Sequence, residues 1–457
     1  MKNAILRILG IPNLKKKIFW TLLLLGISRI GVFVPVPGIN GELAVDIFKH
    51  TTKGAQSLFQ LINIFSGGAF SQMTIFALGV MPYISASIVL QVLVALVPRL
   101  QKEVKENPEV GRRKILKWTR LLTIGIAFLQ SFLYCSYTLS RIGAYPGVIL
   151  PEMLVLTWGQ FPWVFYLITT ITMTAGTVFL MWIGEQITEK GIGNGVSLII
   201  SIGIVSTLPF TIGSLISALQ LESQEPGSMT FISLIVLIAL FVIIVIGTIM
   251  IVQGERRIPL QYARRIVGMR EMQASGSPYL PLKVNYAGVI PVIFASSFLM
   301  LPASIVSFLA KSQWAQSLAT MLSPGSWLYT LLYVGMIFFF TYFWTATQFH
   351  PGQIASDMKR NGAFIPGIKQ GASTENFLKK SMNRITLLGA VSLVVIALLP
   401  SVVGKLLGLD QRTSNFFGGT SLLILVGVAL DTYRQIDSHL LTKRYDGALR
   451  RGRAKLR

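Results

Sequence analysis

The chain has 457 residues, 52% of them hydrophobic and 13% charged, whereas a soluble globular chain carries roughly 25% charged residues. A mean hydropathy of +0.63 excludes an ordinary soluble domain, and apolar spans of about 20 residues, each able to cross a bilayer, make this a multispan membrane protein. A single cysteine, Cys135, excludes an intrachain disulfide and any zinc site built on cysteine.

At the start, Ile5, Leu6 and Leu9 with Lys2 and Arg7 predict a short amphipathic helix on the membrane surface within residues 1–17. The run Lys15, Lys16, Lys17 leads into a full-length span with no A-x-A-like site after it, so no cleaved leader is read here. Ten spans are predicted, at 18–36, 74–97, 118–138, 159–183, 195–215, 230–252, 287–308, 327–348, 385–403 and 417–434. Spans 1–5 make an N-terminal half over 18–216 and spans 6–10 a C-terminal half over 217–434. A basic tail occupies 435–457, and its last residues, Arg450 to Arg457, have no core to pack against and are expected to be mobile. Trp20, Trp118, Trp158, Trp163, Trp182 and Trp327 fall near span ends, as interfacial anchors should.

Orientation follows from charge. With the N-terminus cytoplasmic, segments 1–17, 98–120, 184–192, 254–286, 349–384 and 434–457 are inside and carry 34 of the 41 Lys and Arg residues. Positive charge is retained on the cytoplasmic side during insertion, so both termini are placed there. The net charge of +23 exceeds what topology needs. The two basic cytoplasmic loops, 254–286 and 349–384, would attract anionic lipid and suit a large anionic partner, such as an RNA-rich particle or an acidic motor protein.

Between spans 1 and 2 lies a second apolar stretch, 61–73, too short to cross and broken at Gly67 and Gly68. It reads equally as an outer loop packed on the bundle or as a re-entrant helix. Irregular backbone at membrane depth is tolerated only inside protein or along a cavity. Pro82, Pro291 and the Gly418-Gly419 pair interrupt other spans and would let them bend.

Intramembrane chemistry is sparse. A mid-span charge costs at least ~2.5–3.5 kcal/mol on insertion scales, and no carboxylate occupies the middle of a span. Arg29 lies in the outer half of span 1, where a structural role is expected; Glu185 and Asp431 lie near inner ends. No H-E-x-x-H, G-x-S-x-G or Walker A motif is present. Residues 191–195 (GIGNG) look superficially like a phosphate loop but connect two apolar spans, so a tight loop is expected. No enzyme and no cofactor is read from these residues.

Val80 and Ile84 share a face of span 2, and Val196 and Ile200 share a face of span 5. By themselves these are ordinary core or lipid-facing positions. Five motifs set them in a context: FSGGAFSQMTIFALGVMPYISASIVLQ at 65–91, GEQITEKGIGNGVSLII at 184–200, LPLKVNYAGVIPVIFASS at 280–297, NGAFIPGIKQG at 361–371 and FFGGTSLLI at 416–424. Along essentially its whole length the chain resembles the SecY family, the channel subunits of the bacterial protein translocase.

The resemblance implies an all-α membrane protein of ten transmembrane helices in two inverted, pseudo-symmetric halves around an hourglass pore, with a re-entrant plug helix. It implies a pore ring of Val80, Ile84, Val196, Ile200, Ile293 and Ile424. Branched apolar side chains dewet a constriction and block ions, yet give way around a passing peptide. Val80 and Val196 are smaller than the isoleucine expected there, which widens the constriction slightly. The plug would be 65–73, through Phe65, Ser66, Gly67, Gly68, Ala69, Phe70 and Ser71. A lateral gate between spans 2 and 7 would use Ser85, Ser87, Gln91, Ser296, Ser297 and Leu301, with weak polar contacts of ~0.6 kcal/mol each on average across the gate.

Arg256, Arg257, Arg264 and Arg265 in one loop, and Lys359, Arg360 and Lys369 in the other, would meet the ribosome or the SecA motor ATPase. Where the family commonly has arginine followed by proline, this chain has Lys369 followed by Gln370, keeping the charge without the bidentate fork. The implied role is translocation of secretory polypeptides across the bacterial cytoplasmic membrane and lateral release of membrane proteins. Implied partners are the small membrane subunits SecE and SecG, signal sequences, nascent polypeptides and anionic lipids. The alternative is a secondary transporter, since inverted repeats and broken helices also mark carriers; that reading needs a polar mid-membrane binding site, which the sequence lacks.

Overall fold

A computed structural model describes residues 12–50, 56–142, 147–155, 162–218, 231–262, 278–309, 313–406 and 420–454. The surface helix expected near the start, Arg264, Arg265 and the Gly418-Gly419 pair lie outside the described residues. The chain runs through α1 (Pro12–Ile30), α2 (Gly41–His50), α3 (Gln56–Ser66), α4 (Met81–Leu96), α5 (Pro98–Glu106), α6 (Pro108–Ile142), α7 (Pro151–Val155), α8 (Trp163–Lys190) and α9 (Gly195–Ala218). It continues through α10 (Phe231–Gln253), α11 (Ile290–Leu309), α12 (Gln313–Met321), α13 (Trp327–Gln348), α14 (Pro351–Arg360), α15 (Ala372–Leu406) and α16 (Thr420–Ala454).

The ten predicted spans fall in order on α1, α4, α6, α8, α9, α10, α11, α13, α15 and α16. Among the described residues, α8, α9, α10, α13 and α15 are long and apolar enough to cross a bilayer alone. The others fall short of that in length or apolarity. α4 has 16 residues, bends by 99° into α5, and buries Met81, Ile84, Ile88 and Leu90 against protein. α1 carries Lys15, Lys16 and Lys17 in its first turns, and α16 carries Asp431 and Arg434 beyond its apolar start.

One expectation changes. Pro82 and Pro291 do not interrupt spans; they stand in the first turns of α4 and α11, where a missing N–H costs no helical hydrogen bond. The interior prolines are Pro209 in α9, Pro302 in α11 and Pro400 in α15. The basic tail is helical as far as Ala454, because no proline follows the apolar part of α16 and its Leu, Lys, Arg and Ala residues favour helix.

Within the first half, α6 packs along α4 and α8. Within the second, α13 lies between α11 and α15, and α10 packs on α15 and α16. The halves meet where α11 packs on α4 and α6, and where α16 packs on α9. One buried apolar cluster runs through both, including Phe165, Met173, Ile187 and Ile204 from the first and Val292, Ile337, Leu393 and Leu423 from the second. α10 turns Ile238, Val242, Ile243, Ile246 and Met250 outward, as a lipid-facing helix does.

The two basic loops are not separate loops. Strands β1 (Glu255–Pro259) and β3 (Tyr279–Lys283) pair antiparallel, with Arg256 opposite Leu282. β2 (Gln261–Tyr262) pairs antiparallel with β4 (Ala363–Phe364), tying the first loop to the second. Ile258, Leu260, Leu282, Phe349, Met358, Leu378, Met382 and Ile385 form a second buried core beneath them. The protein therefore carries a small folded head on this side of the bundle.

Candidate functional site

The six aliphatic residues expected to form a ring lie at or near the starts of four helices. Val80 is the N-cap of α4 and Ile84 is in its first turn. Val196 and Ile200 open α9, Ile293 opens α11 and Ile424 opens α16. Five are buried, Val196 is half-buried, and all belong to or pack against the one cluster that joins the halves.

The segment expected to form the plug differs in its boundaries. The helix here, α3, lies mostly ahead of the expected 65–73 stretch and takes in only Phe65 and Ser66 of it; residues 67–73 are turns. The sequence places the break correctly. Gly67 and Gly68 have φ of +66° and +94°. The Gly68 N–H donates to the Asn63 carbonyl at 2.8 Å and the Gly67 N–H to the Ile64 carbonyl at 3.0 Å, a Schellman C-cap that needs a left-handed residue at Gly67.

The turn is strongly held. Ser66 Oγ accepts from the Phe70 N–H at 3.1 Å, and Asn63 Oδ1 accepts from the Ser71 N–H at 2.9 Å. Ser71 Oγ donates to the Gly68 carbonyl at 3.0 Å. Phe70 is 2% exposed and meets Phe48, Phe59 and Tyr134 with ring centroids 4.8–5.9 Å apart. The Tyr134 hydroxyl donates to the Phe70 carbonyl at 3.0 Å, and Arg29 donates to the Gly67 carbonyl at 2.9 Å. A Cβ on Gly203 of α9 would stand 3.0 Å from the Phe65 carbonyl, so α9 closes on the same helix end.

α4 and α11 pack directly on each other, with α6 and α13 beside α11. Ser85, Ser296 and Ser297 are buried there, while Ser87, Gln91 and Leu301 are half-buried. The expected polar contacts across this seam are not made. Gln91 Nε2 donates to Ser87 Oγ at 2.9 Å within α4, and Ser296 Oγ donates to the Ile293 carbonyl at 2.9 Å within α11. Hydroxyls and amides four or fewer residues apart on one helix satisfy each other locally before they reach a neighbour. Among the described residues no hydrogen bond joins α4 to α11, so the seam is held by packing. Gln91 Oε1 is buried without a partner.

Residues 191–195 form a tight loop with its donors used internally. Thr21 Oγ1 accepts from the Ile192 N–H at 3.0 Å, Gln435 Oε1 from the Gly193 N–H at 2.8 Å, and Thr188 Oγ1 from the Gly195 N–H at 2.9 Å. A phosphate would need those N–H groups free. The same bonds fasten α1 and α16 to the α8–α9 connection.

A family model for SecY matches residues 74–433. The chain is 55% identical to the protein translocase subunit SecY of Chlamydia trachomatis over 450 residues, 98% of each chain. The chain belongs to the SecY family. A solved protein-conducting channel shares its fold at 18% identity and a TM-score of 0.58, over 92% of this chain and 91% of that one. The channel in the canine ribosome–channel complex from the endoplasmic reticulum does so at 17% identity and a TM-score of 0.53, over 92% and 91%. The ten-helix hourglass fold is that of the SecY family, and the likeness favours a conducting channel over a secondary transporter.

In this SecY-family chain the head presents its basic residues outward. Arg256, Arg257, Lys359, Arg360 and Lys369 are all exposed. Arg257 Nε lies 2.8 Å from Glu255 Oε1 and its guanidinium stands 4.8 Å from the centre of the Tyr279 ring; the hydrogen bond to Glu255 holds its pKa above the usual value. Burial pushes the Tyr286 phenol up in the same head. At the departure from the family pattern, Gln370 Nε2 donates to the Ala363 carbonyl of β4 at 3.3 Å. Proline there would have no such donor.

Sequence reasoning missed the head, the roles of Thr21 and Gln435, and the bond from Arg29 to the plug turn. Only the head had a legible signal: Ile258 and Leu260, then Leu280 and Leu282, alternate with period two, as strand residues do.

Proposed function

We propose that this chain is the central channel subunit through which secretory polypeptides cross the bacterial cytoplasmic membrane, and from which membrane proteins leave sideways into lipid. The observation that carries this reading is the gathering of Val80, Ile84, Val196, Ile200, Ile293 and Ile424, drawn from both halves, in or against one buried apolar cluster. Such a ring seals by dewetting and has no sequence preference, which suits a channel for many substrates. In this reading the turn after α3 is the plug, and the α4–α11 seam is the lateral gate. A seam held by packing rather than hydrogen bonds suits opening by an apolar signal sequence.

The exposed cations of the head are the proposed contact for the ribosome or the SecA motor, with SecE and SecG as the accompanying small subunits and both termini cytoplasmic. Support comes from the basic charge of that face and from the ribosome-bound state of one structural relative. The test is site-specific crosslinking in membranes, with a photoreactive residue at Ile84 and a stalled secretory chain. A crosslink that appears only when the chain is engaged is expected. Contacts confined to the head would make this chain a docking factor rather than the conduit.

A further inference from the structure

Arg29 is the one guanidinium placed by the sequence within an apolar span away from its cytoplasmic end. Among the described residues no carboxylate pairs with it. Its bond is instead to the plug turn: the guanidinium donates to the Gly67 carbonyl at 2.9 Å. Gly67 is the left-handed C-cap of α3, so the cation stands at the end of that helix where the unsatisfied carbonyls and the negative end of the dipole lie. The approach requires glycine, since a Cβ at position 67 would collide with the guanidinium nitrogens. On the other side, α9 approaches at Gly203, 3.0 Å from the Phe65 carbonyl to an added Cβ. The helix end is thus wedged between a charge on α1 and a bare backbone on α9.

We propose that Arg29 is a latch that keeps the plug seated in the resting channel: a charge held half-buried in the membrane because its counter-charge is the carbonyl end of the plug helix. The proposal rests on the reading of 65–73 as a plug. Lifting the plug away separates that cation from its partner, so the latch favours the closed state and is broken once per opening. Tyr134, which donates to the Phe70 carbonyl at 3.0 Å, holds the next turn with a neutral group and needs no counter-charge when released.

The test is ion conductance of the full channel complex in planar bilayers, without substrate. Arg29→Met raises resting conductance by roughly 10- to 150-fold, the population shift expected from losing one charge-assisted hydrogen bond. Arg29→Lys, which keeps a charge for insertion but loses the guanidinium's reach and fork, raises conductance in the same direction and to a smaller extent, and decides the matter if Arg29→Met does not insert. Deleting 66–71 leaks as well, and adding Arg29→Met to that deletion raises conductance no further. Wild-type tightness of the inserted single variants beside a leaky deletion overturns the latch and leaves the plug. A further rise in the double variant also overturns it, since Arg29 would then act elsewhere. A tight deletion overturns the plug reading itself, and the latch with it.

Discussion

Ile424 is fully buried at the start of α16, in the cluster that joins the halves, and its role can be tested by one change of polarity. Ile424→Asn puts an amide where no water reaches it in the closed state, at a cost of about 1–3 kcal/mol on protein scales. The closed waist loses that stability while the open, peptide-filled waist does not. Transport of substrates with defective signal sequences should therefore rise, measured as protected product in membrane vesicles; unchanged signal selectivity would remove Ile424 from the ring. The residue scale also shows what spacing cannot reveal. Ser87 and Gln91 lie on α4 and Ser296 on α11, but the direction of their hydrogen bonds is set by local geometry, and it runs along each helix rather than between them.

Among the elements, the head makes the most definite demand. Leu282 on β3 and Leu378 on α15 are both fully buried in its core. Leu282→Ala should cost about 2–5 kcal/mol of local stability, as truncation of a buried leucine does. The measurement is limited proteolysis from the side that carries the head: faster cleavage within 254–286 is expected while the spans stay intact. Cleavage at the wild-type rate would mean that the head does not fold as a unit. The helices themselves were legible because apolar runs of bilayer length leave few alternatives. Their ends were not. α1 begins earlier than hydropathy suggests because lysines continue a helix as readily as leucine does, and α4 begins later because residues 74–80 are spent on a further run of turns.

Over the whole molecule, charge sorts the protein into a basic face and an apolar body. Reversing Arg256 and Arg257 to glutamate changes that face by four charges and sets a carboxylate beside Glu255. Ribosome or motor binding should weaken, with a shallower salt dependence because fewer counterions are released. Co-sedimentation across a salt series reads both. Wild-type affinity at low salt would leave the two arginines as topology determinants only. The β2–β4 pairing gives this test its meaning: it brings two stretches of chain about a hundred residues apart into one surface, so a single partner would meet the cations of both.

The sequence alone determined the number and order of the spans, the site of the break after Ser66 and the family. These follow from hydropathy, glycine and motif order, all of which are local along the chain. Tertiary structure decided the rest: that two basic loops make one domain, that the serine-rich seam is joined by packing, that the GIGNG donors are taken by Thr21, Gln435 and Thr188, and that Arg29 meets the carbonyl of Gly67. Each of these is a pairing between distant segments, and a hydrogen-bond donor's partner is fixed by which helix ends the packed bundle brings within 3 Å of it.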